Sequence, residues 1–151
     1  LSESIINIAS GSGGGNGTGG QSTPQNSNPK LKPENINTPE DLITQAKDAA
    51  IKDPKLGGGA MVVEGTQGGV ESFMGNMEKL WGEPKITPDG QGGVIKTLNS
   101  PDNRWTVTSR TKTSSGQQIT NAGYRHEVTV DIIETIENNK IISEIKFVSK
   151  Q

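Results

Sequence analysis

Apolar residues recur at helical spacing in two segments of the first half of the chain. In the second segment they lie on one helical face, which predicts a helix over 70–81 that packs in the core and ends at Gly82. These apolar residues are Val70, Phe73, Met74, Met77, Leu80 and Trp81. The first segment predicts a helix that begins with Thr38 as its cap and ends before Pro54.

The pattern changes after Pro88, where apolar and polar residues begin to alternate. Strands are predicted over 94–98, 104–112, 124–134 and 140–148, with a polar loop over 116–123. The predicted fold is therefore α+β, with N-terminal helices packed on one face of a roughly four-stranded antiparallel sheet. The other face of that sheet would be polar and open to water.

Composition divides the chain into two parts. Of its 151 residues 20 are glycine, and only 28% are hydrophobic. Residues 10–28 are nearly all Gly, Ser, Thr, Asn, Gln and Pro, and such a segment buries too little apolar surface to offset its ordering entropy. We predict a flexible tether over 1–35 and a compact domain over 36–151, both carried by a larger polypeptide. A disordered tail is the alternative for the first part.

The inventory of reactive side chains excludes several chemistries. The chain has no cysteine and one histidine, His126. Disulfides, thiolate metal sites, a cysteine nucleophile and any mechanism with two imidazoles are thereby excluded. No apolar run approaches about 18 residues, so no membrane span is predicted. We predict neither a metal site nor a cofactor.

Cations and hydroxyls collect on the strand positions that would face water. The candidate catalytic residues are His126, Glu127, Arg110 and Thr106, and the candidate substrate-binding residues are Arg104, Thr108, Arg125, Lys112 and Lys146. Guanidinium groups match phosphate oxygens, and an imidazole or a carboxylate can move a proton. Such a set could support attack by a ribose 2′-hydroxyl on the adjacent phosphate of an RNA chain. The simpler interpretation is that any half-exposed sheet alternates in this way.

His126 is the only side chain whose ordinary pKa lies near neutrality, which makes it the natural general acid or base. In a regular strand it points opposite to Arg125 and Glu127, toward the helices. His126 and Glu127 can therefore share a site only if the strand entry is bulged or still part of the loop. Charge adds modest support, because residues 94–151 hold 8 basic and 6 acidic groups in a chain of net charge −2.

Several short motifs resemble the C-terminal polymorphic toxin domains of contact-dependent growth inhibition and related bacterial proteins. They are Leu80-Trp81-Gly82-Glu83-Pro84, Gly92-Gly93-Val94, Arg104-Trp105-Thr106-Val107-Thr108-Ser109-Arg110, Ser114-Ser115-Gly116 and Ile145-Lys146-Phe147-Val148, within roughly 70–148. The order of elements is similar to that of the barnase/EndoU/colicin/RelE group of ribonucleases, in which helices precede a four-stranded antiparallel sheet.

The resemblance implies metal-independent cleavage of RNA, tRNA in particular, in the cytoplasm of a target cell. It also implies delivery by a secreted or cell-surface protein and a cognate immunity protein that covers the site. By position, the residues that match such roles are Arg104, Thr106, Arg110, Arg125, His126 and Lys146. Two other functions stay open: a non-enzymatic binding module of a secreted or surface protein, and a toxin that acts on DNA or a nucleotide.

Overall fold

The computed structural model describes residues 31–56 and 58–151. A short 3-10 helix, Pro33–Asn35, comes first within these residues. The elements that follow are α1 (Pro39–Ala49), β1 (Met61–Glu64), α2 (Gln67–Trp81), β2 (Lys85–Pro88), β3 (Val94–Asn99), β4 (Trp105–Arg110), α3 (Gly116–Asn121), β5 (Tyr124–Ile136) and β6 (Asn139–Lys150).

The strands form one six-stranded sheet in the order β1-β6-β5-β4-β3-β2. Strand β1 is parallel to β6, whereas the other neighbours are antiparallel. The predicted architecture of N-terminal helices on a roughly four-stranded antiparallel sheet is therefore wrong. The sheet is mixed and has six strands, β1 lies between α1 and α2 in the chain, and α3 lies between β4 and β5.

Helices α1 and α2 pack on one face of the sheet, which we call the inner face. Helix α1 begins at the predicted cap, where Thr38 Oγ1 accepts a hydrogen bond from Asp41 N at 3.1 Å. Helix α2 begins at Gln67, earlier than the predicted 70–81, and Thr66 is its cap: Thr66 Oγ1 accepts a hydrogen bond from Gly69 N at 3.0 Å. The largest fully buried side chains of this core include Leu42, Phe73, Met74, Met77, Leu98, Ile132, Ile145 and Phe147. The predicted stripe includes one residue that is not in the core: Leu80 is 61% exposed, whereas Trp81 of the same turn packs against the core.

The packed part of the molecule includes residues that the sequence assigns to the tether. Leu31 and Pro33 are buried, and Asn76 Nδ2 donates hydrogen bonds to the carbonyl oxygens of Glu34 and Ile36, both at 3.1 Å. Residues 31–35 therefore belong to the compact body. The rest of the predicted tether, residues 1–30, lies outside the described residues.

The opposite face of the sheet, which we call the outer face, is partly covered. Alternation along β1 and β6 directs Val63 and Phe147 to the inner core, so Val62 and Val148 lie on the outer face. A small second core forms there from Leu56, Val62, Ile119 and Val148. The segment predicted as a polar loop over 116–123 contains α3, and the outer face is open to water only beyond this cover.

Candidate functional site on the outer face

Strand β5 contains a one-residue bulge at Glu127. His126 lies opposite Val148 and Val128 lies opposite Phe147, so no residue of β6 lies opposite Glu127 in the strand register. The extra residue reverses the alternation on its N-terminal side, and His126 therefore lies on the outer face with Val148. A bulge was expected to bring His126 and Glu127 to one site, but the bulge that is present separates them.

Three residues of adjacent strands form a row beside His126 on the outer face. Arg110 of β4 lies opposite Thr129 of β5, and Thr129 lies opposite Lys146 of β6. Thr129 is fully buried, and its Oγ1 lies at hydrogen-bond distance, 2.8 Å, from His126 Nε2. We call this group the His126 cluster: His126, Thr129, Arg110 and Lys146, together with Asp131 and Glu144 of the next row.

The cations of the cluster already have polar partners. Arg110 Nη2 donates to Asp131 Oδ2 at 2.9 Å and to Glu144 Oε2 at 3.3 Å. Lys146 Nζ donates to the hydroxyl of Ser115, the residue immediately before α3. Two cations thus face two carboxylates, and the neighbouring groups hold both basic side chains in place.

The pKa of His126 is lowered from its ordinary value of 6.5. Burial is the main cause, because the protonated imidazole loses more hydration than the neutral one. The charges of Lys146 and Arg110 lower the pKa further, while Glu127 opposes them. The imidazole is therefore neutral near pH 7, which is the state that a general base requires.

The pKa of Asp131 is shifted in the opposite direction. Burial raises it above the ordinary value of 3.8, and the neighbouring charge of Glu144 raises it further, while Arg110 opposes both. Asp131 therefore takes up a proton at a higher pH than an exposed aspartate, and its attraction to Arg110 weakens as the pH falls.

Arg104 lies outside the cluster although the sequence places it on the same face. It precedes β4, and its Nε donates to Glu134 Oε2 at 2.8 Å. Its guanidinium also lies 5.2 Å from the centre of the Trp105 ring. Because Glu134 lies opposite the buried Trp105 in the sheet register, this ion pair belongs to the inner side of the molecule.

Glu127 and Arg125 also lie away from the cluster. Glu127 Oε2 accepts a hydrogen bond from Ser149 Oγ at 2.8 Å, and its Oε1 accepts one from the backbone N of Gln67 at 3.3 Å, at the start of α2. Arg125 is exposed and lies opposite Ser149. The bulge accounts for both positions, because it turns these two side chains to the inner side of the strand.

The remaining predicted site residues lie at the border of the cluster. Thr108 lies opposite Asp131 on the outer face, and Thr106 lies one row farther away, where its Oγ1 donates to Asn99 Oδ1 at 2.8 Å. Lys112 is exposed beyond the end of β4, where its charge interacts with Asp89. Of the nine predicted residues, the structure thus brings His126, Arg110 and Lys146 together.

Three residues that contact the site, Thr129, Asp131 and Ser115, are not among the predicted site residues. Alternation does place Thr129 and Asp131 on the expected polar face. Their contacts with His126 and Arg110, however, depend on the bulge and on the strand register, and neither follows from alternation. Ser115 lies in a segment with no periodic pattern, so no sequence signal connects it to Lys146.

No protein-family model, curated protein or solved structure matches the chain. In the part of the chain that the structure describes, no helix is long and apolar enough to cross a membrane. Over the same residues, no group of three or more His, Cys, Asp and Glu side chains is placed to hold a metal ion.

Proposed function

We propose that the His126 cluster is the active site of a metal-independent endoribonuclease, a toxin domain that acts in the cytoplasm of a target cell. The observation that carries the proposal is the pairing of His126 with the buried hydroxyl of Thr129 at 2.8 Å, beside Arg110 and Lys146. Delivery by a secreted or surface protein, preference for tRNA and a cognate immunity protein are proposed from the motif resemblance.

In this proposal neutral His126 is the general base. Its imidazole takes the proton of a ribose 2′-hydroxyl, and the oxygen attacks the adjacent phosphorus. The bond from phosphorus to the 5′-oxygen of the next nucleotide breaks, and the ammonium of Lys146 gives that oxygen its proton. The products are a 2′,3′-cyclic phosphate and a free 5′-hydroxyl. Thr129 orients the imidazole and does not touch the substrate.

Arg110 and Lys146 stabilise the negative charge that develops on the phosphate oxygens in the transition state. Because Arg110 is already paired with Asp131 and Glu144, the substrate phosphate competes with two carboxylates for its guanidinium. We therefore expect weak binding of RNA away from the reacting phosphate, which agrees with the net charge of −2.

The test is incubation of the full chain with total tRNA in the presence of EDTA, with analysis of the new RNA ends. We expect cyclic phosphate ends, and His126→Ala should slow cleavage by about 10²–10⁴-fold. Arg125→Ala is the matched control, because Arg125 is the next residue in the chain but lies on the other side of the strand.

Two results would contradict the proposal. If folded wild-type protein leaves RNA intact, the site is not a ribonuclease, and RNA bound without cleavage would indicate a binding module instead. If His126→Ala cleaves as fast as the wild type, His126 is not the base, whatever the source of the activity.

A further inference from the structure

Strand β6 is longer than β1, its neighbour on the edge opposite to β5. It pairs with β5 from Asn139 to Lys150, whereas the parallel strand β1 pairs only with Ile145–Val148. Among the residues that the structure describes, no strand pairs with the second edge of β6 over 139–144. Six residues of this strand therefore present a free backbone edge.

This edge exposes one large apolar side chain on each face, between the charged residues Lys140 and Glu144. Ile142, on the outer face, is 65% exposed, and Ile141, on the inner face, is 55% exposed. The register of β5 and β6 is continuous here, because the bulge of β5 lies at Glu127. An unpaired strand edge that also exposes large apolar side chains pairs readily with strands of other chains.

The turn before β6 determines which backbone groups point outward. The turn residues are Glu137 and Asn138, with φ of 48° and 71°, and Ile136 lies opposite Asn139. The pair that flanks a two-residue turn is hydrogen-bonded, and hydrogen-bonded pairs then alternate along the hairpin. The N–H and C=O groups of Lys140, Ile142 and Glu144 therefore point away from β5, toward the free edge.

We propose that this edge pairs antiparallel with the same edge of a second copy of the chain, around a two-fold axis at Ile142. In this register Ile142 packs against Ile142 of the second copy on the outer face. Lys140 lies opposite Glu144 of the second copy, and the symmetry forms this ion pair twice. The inference goes beyond the proposed function and does not depend on it.

Charge complementarity selects both the occupant and the register. A two-fold axis perpendicular to the sheet leaves the outer faces on the same side, so a residue can pair only with one of its own face. The neighbouring register, centred on Ile141, would place Lys140 opposite Ile142 and would form neither ion pair. The sequence around Ile142 is therefore complementary to itself, with a cation two residues before it and an anion two residues after it.

The experiment measures the mass of the full chain in solution by sedimentation and native mass spectrometry, at concentrations up to about 1 mM. We expect a monomer–dimer equilibrium and no larger species, since a two-fold contact is closed. Lys140→Glu alone and Glu144→Lys alone each place like charges opposite one another, and each should raise the dimer Kd about tenfold or more.

A mixture of the two variants provides the specific test. In a heterodimer of Lys140→Glu with Glu144→Lys both ion pairs are restored, with opposite polarity, so the mixed species should form where neither variant dimerises alone. Lys85→Glu, on the β2 edge at the other side of the sheet, is the control and should dimerise as the wild type does.

The proposal is overturned if the wild type stays monomeric up to about 1 mM, if species larger than a dimer dominate, or if Lys140→Glu leaves the Kd unchanged. Failure of the mixture to form heterodimers would also overturn it. If Glu144→Lys does not fold, Lys140→Glu alone still decides, because Lys140 is exposed and lies outside the His126 cluster.

Discussion

At the scale of single residues, the bulge at Glu127 allows two adjacent ionisable side chains to serve opposite faces of one strand. His126 bonds Thr129 on the outer face, while Glu127 accepts hydrogen bonds from Ser149 and from the first backbone N–H of α2. An uninterrupted strand would turn the imidazole into the apolar inner core and turn the Glu127 carboxylate away from the first N–H of α2. The bulge thus supports the site and the helix at the same time.

The contacts of Glu127 indicate a structural role. Its carboxylate lies at the positive end of the helix dipole, where unpaired N–H groups need acceptors. We expect Glu127→Ala to lower the free energy of unfolding by about 1–2 kcal/mol. Urea denaturation measures the change, and Glu71→Ala, an exposed carboxylate of the same helix, should change it little. A variant that keeps its stability but loses RNA cleavage would instead place Glu127 in the mechanism.

At the scale of the elements, the sequence predicts those with a strong period. Helix α2 and the strands β3 to β6 show clear helical or alternating patterns, and the predicted segments overlap them. Strand β1 is missed because Val62 and Val63 are both buried, one on each face of the sheet, so it does not alternate. Strand β2 is missed for the opposite reason, because most of its four residues are exposed. Helix α3 buries only Ile119 and carries no stripe.

The candidate site was predictable only in part, because alternation assigns side chains to a face correctly only where a strand is regular. Alternation places Arg110 and Lys146 on one face because β4 and β6 are regular there. The same rule misplaces Arg125, which lies beyond the bulge, and Arg104, which precedes the strand. Pairing across strands, which brings Thr129 to His126, depends on tertiary register and is not visible in one segment of sequence.

Gly65 lies in the junction between β1 and α2, close to the ring of Phe147. A Cβ atom on Gly65 would lie 2.6 Å from Cδ1 of Phe147, a fully buried ring. We expect Gly65→Ala to lower the free energy of unfolding by about 1–3 kcal/mol, because the fully buried ring would have to shift to make room for the methyl group.

Gly75→Ala is the matched control for Gly65→Ala. Gly75 lies inside α2, and a Cβ atom there would meet no atom within 4 Å. This substitution should raise the free energy of unfolding by about 0.5–1 kcal/mol, since alanine favours a helix over glycine. Urea denaturation of both variants measures the pair of effects. Equal effects of the two changes would show that Phe147 does not restrict Gly65.

At the scale of the whole molecule, the sheet separates two cores of unequal size. The larger lies under α1 and α2, and the smaller lies between α3 and the outer faces of β1, β5 and β6. The His126 cluster lies at the border of the smaller core, where Val148 packs beneath α3 and Lys146 bonds Ser115. This position explains why His126 is half-buried and why its pKa is lowered mainly by burial.

The lowered pKa of His126 connects the site to the stability of the fold. Between the folded pKa and 6.5 the unfolded chain binds more protons than the folded chain, so the free energy of unfolding rises with pH across this window. The lowered pKa values of Asp89 and Asp102 act only below about 3.8. The raised pKa of Asp131 has the opposite effect on stability, because it lowers the free energy of unfolding as the pH rises above 3.8.

We therefore expect the free energy of unfolding to fall as the pH is lowered from about 7 through 6.5, and the contribution of His126 to level off once the pH passes below its folded pKa. His126→Asn removes the titrating group and should flatten this slope in urea denaturation. Because His126 is the sole histidine, proton NMR reports its pKa without assignment, and that value should lie below 6.5. A histidine that titrates at or above 6.5, or a variant that keeps the wild-type slope, would mean that the folded protein accommodates the imidazolium. If the pKa of His126 lay above about 7, the neutral base on which the proposed cleavage depends would be the minor form near pH 7.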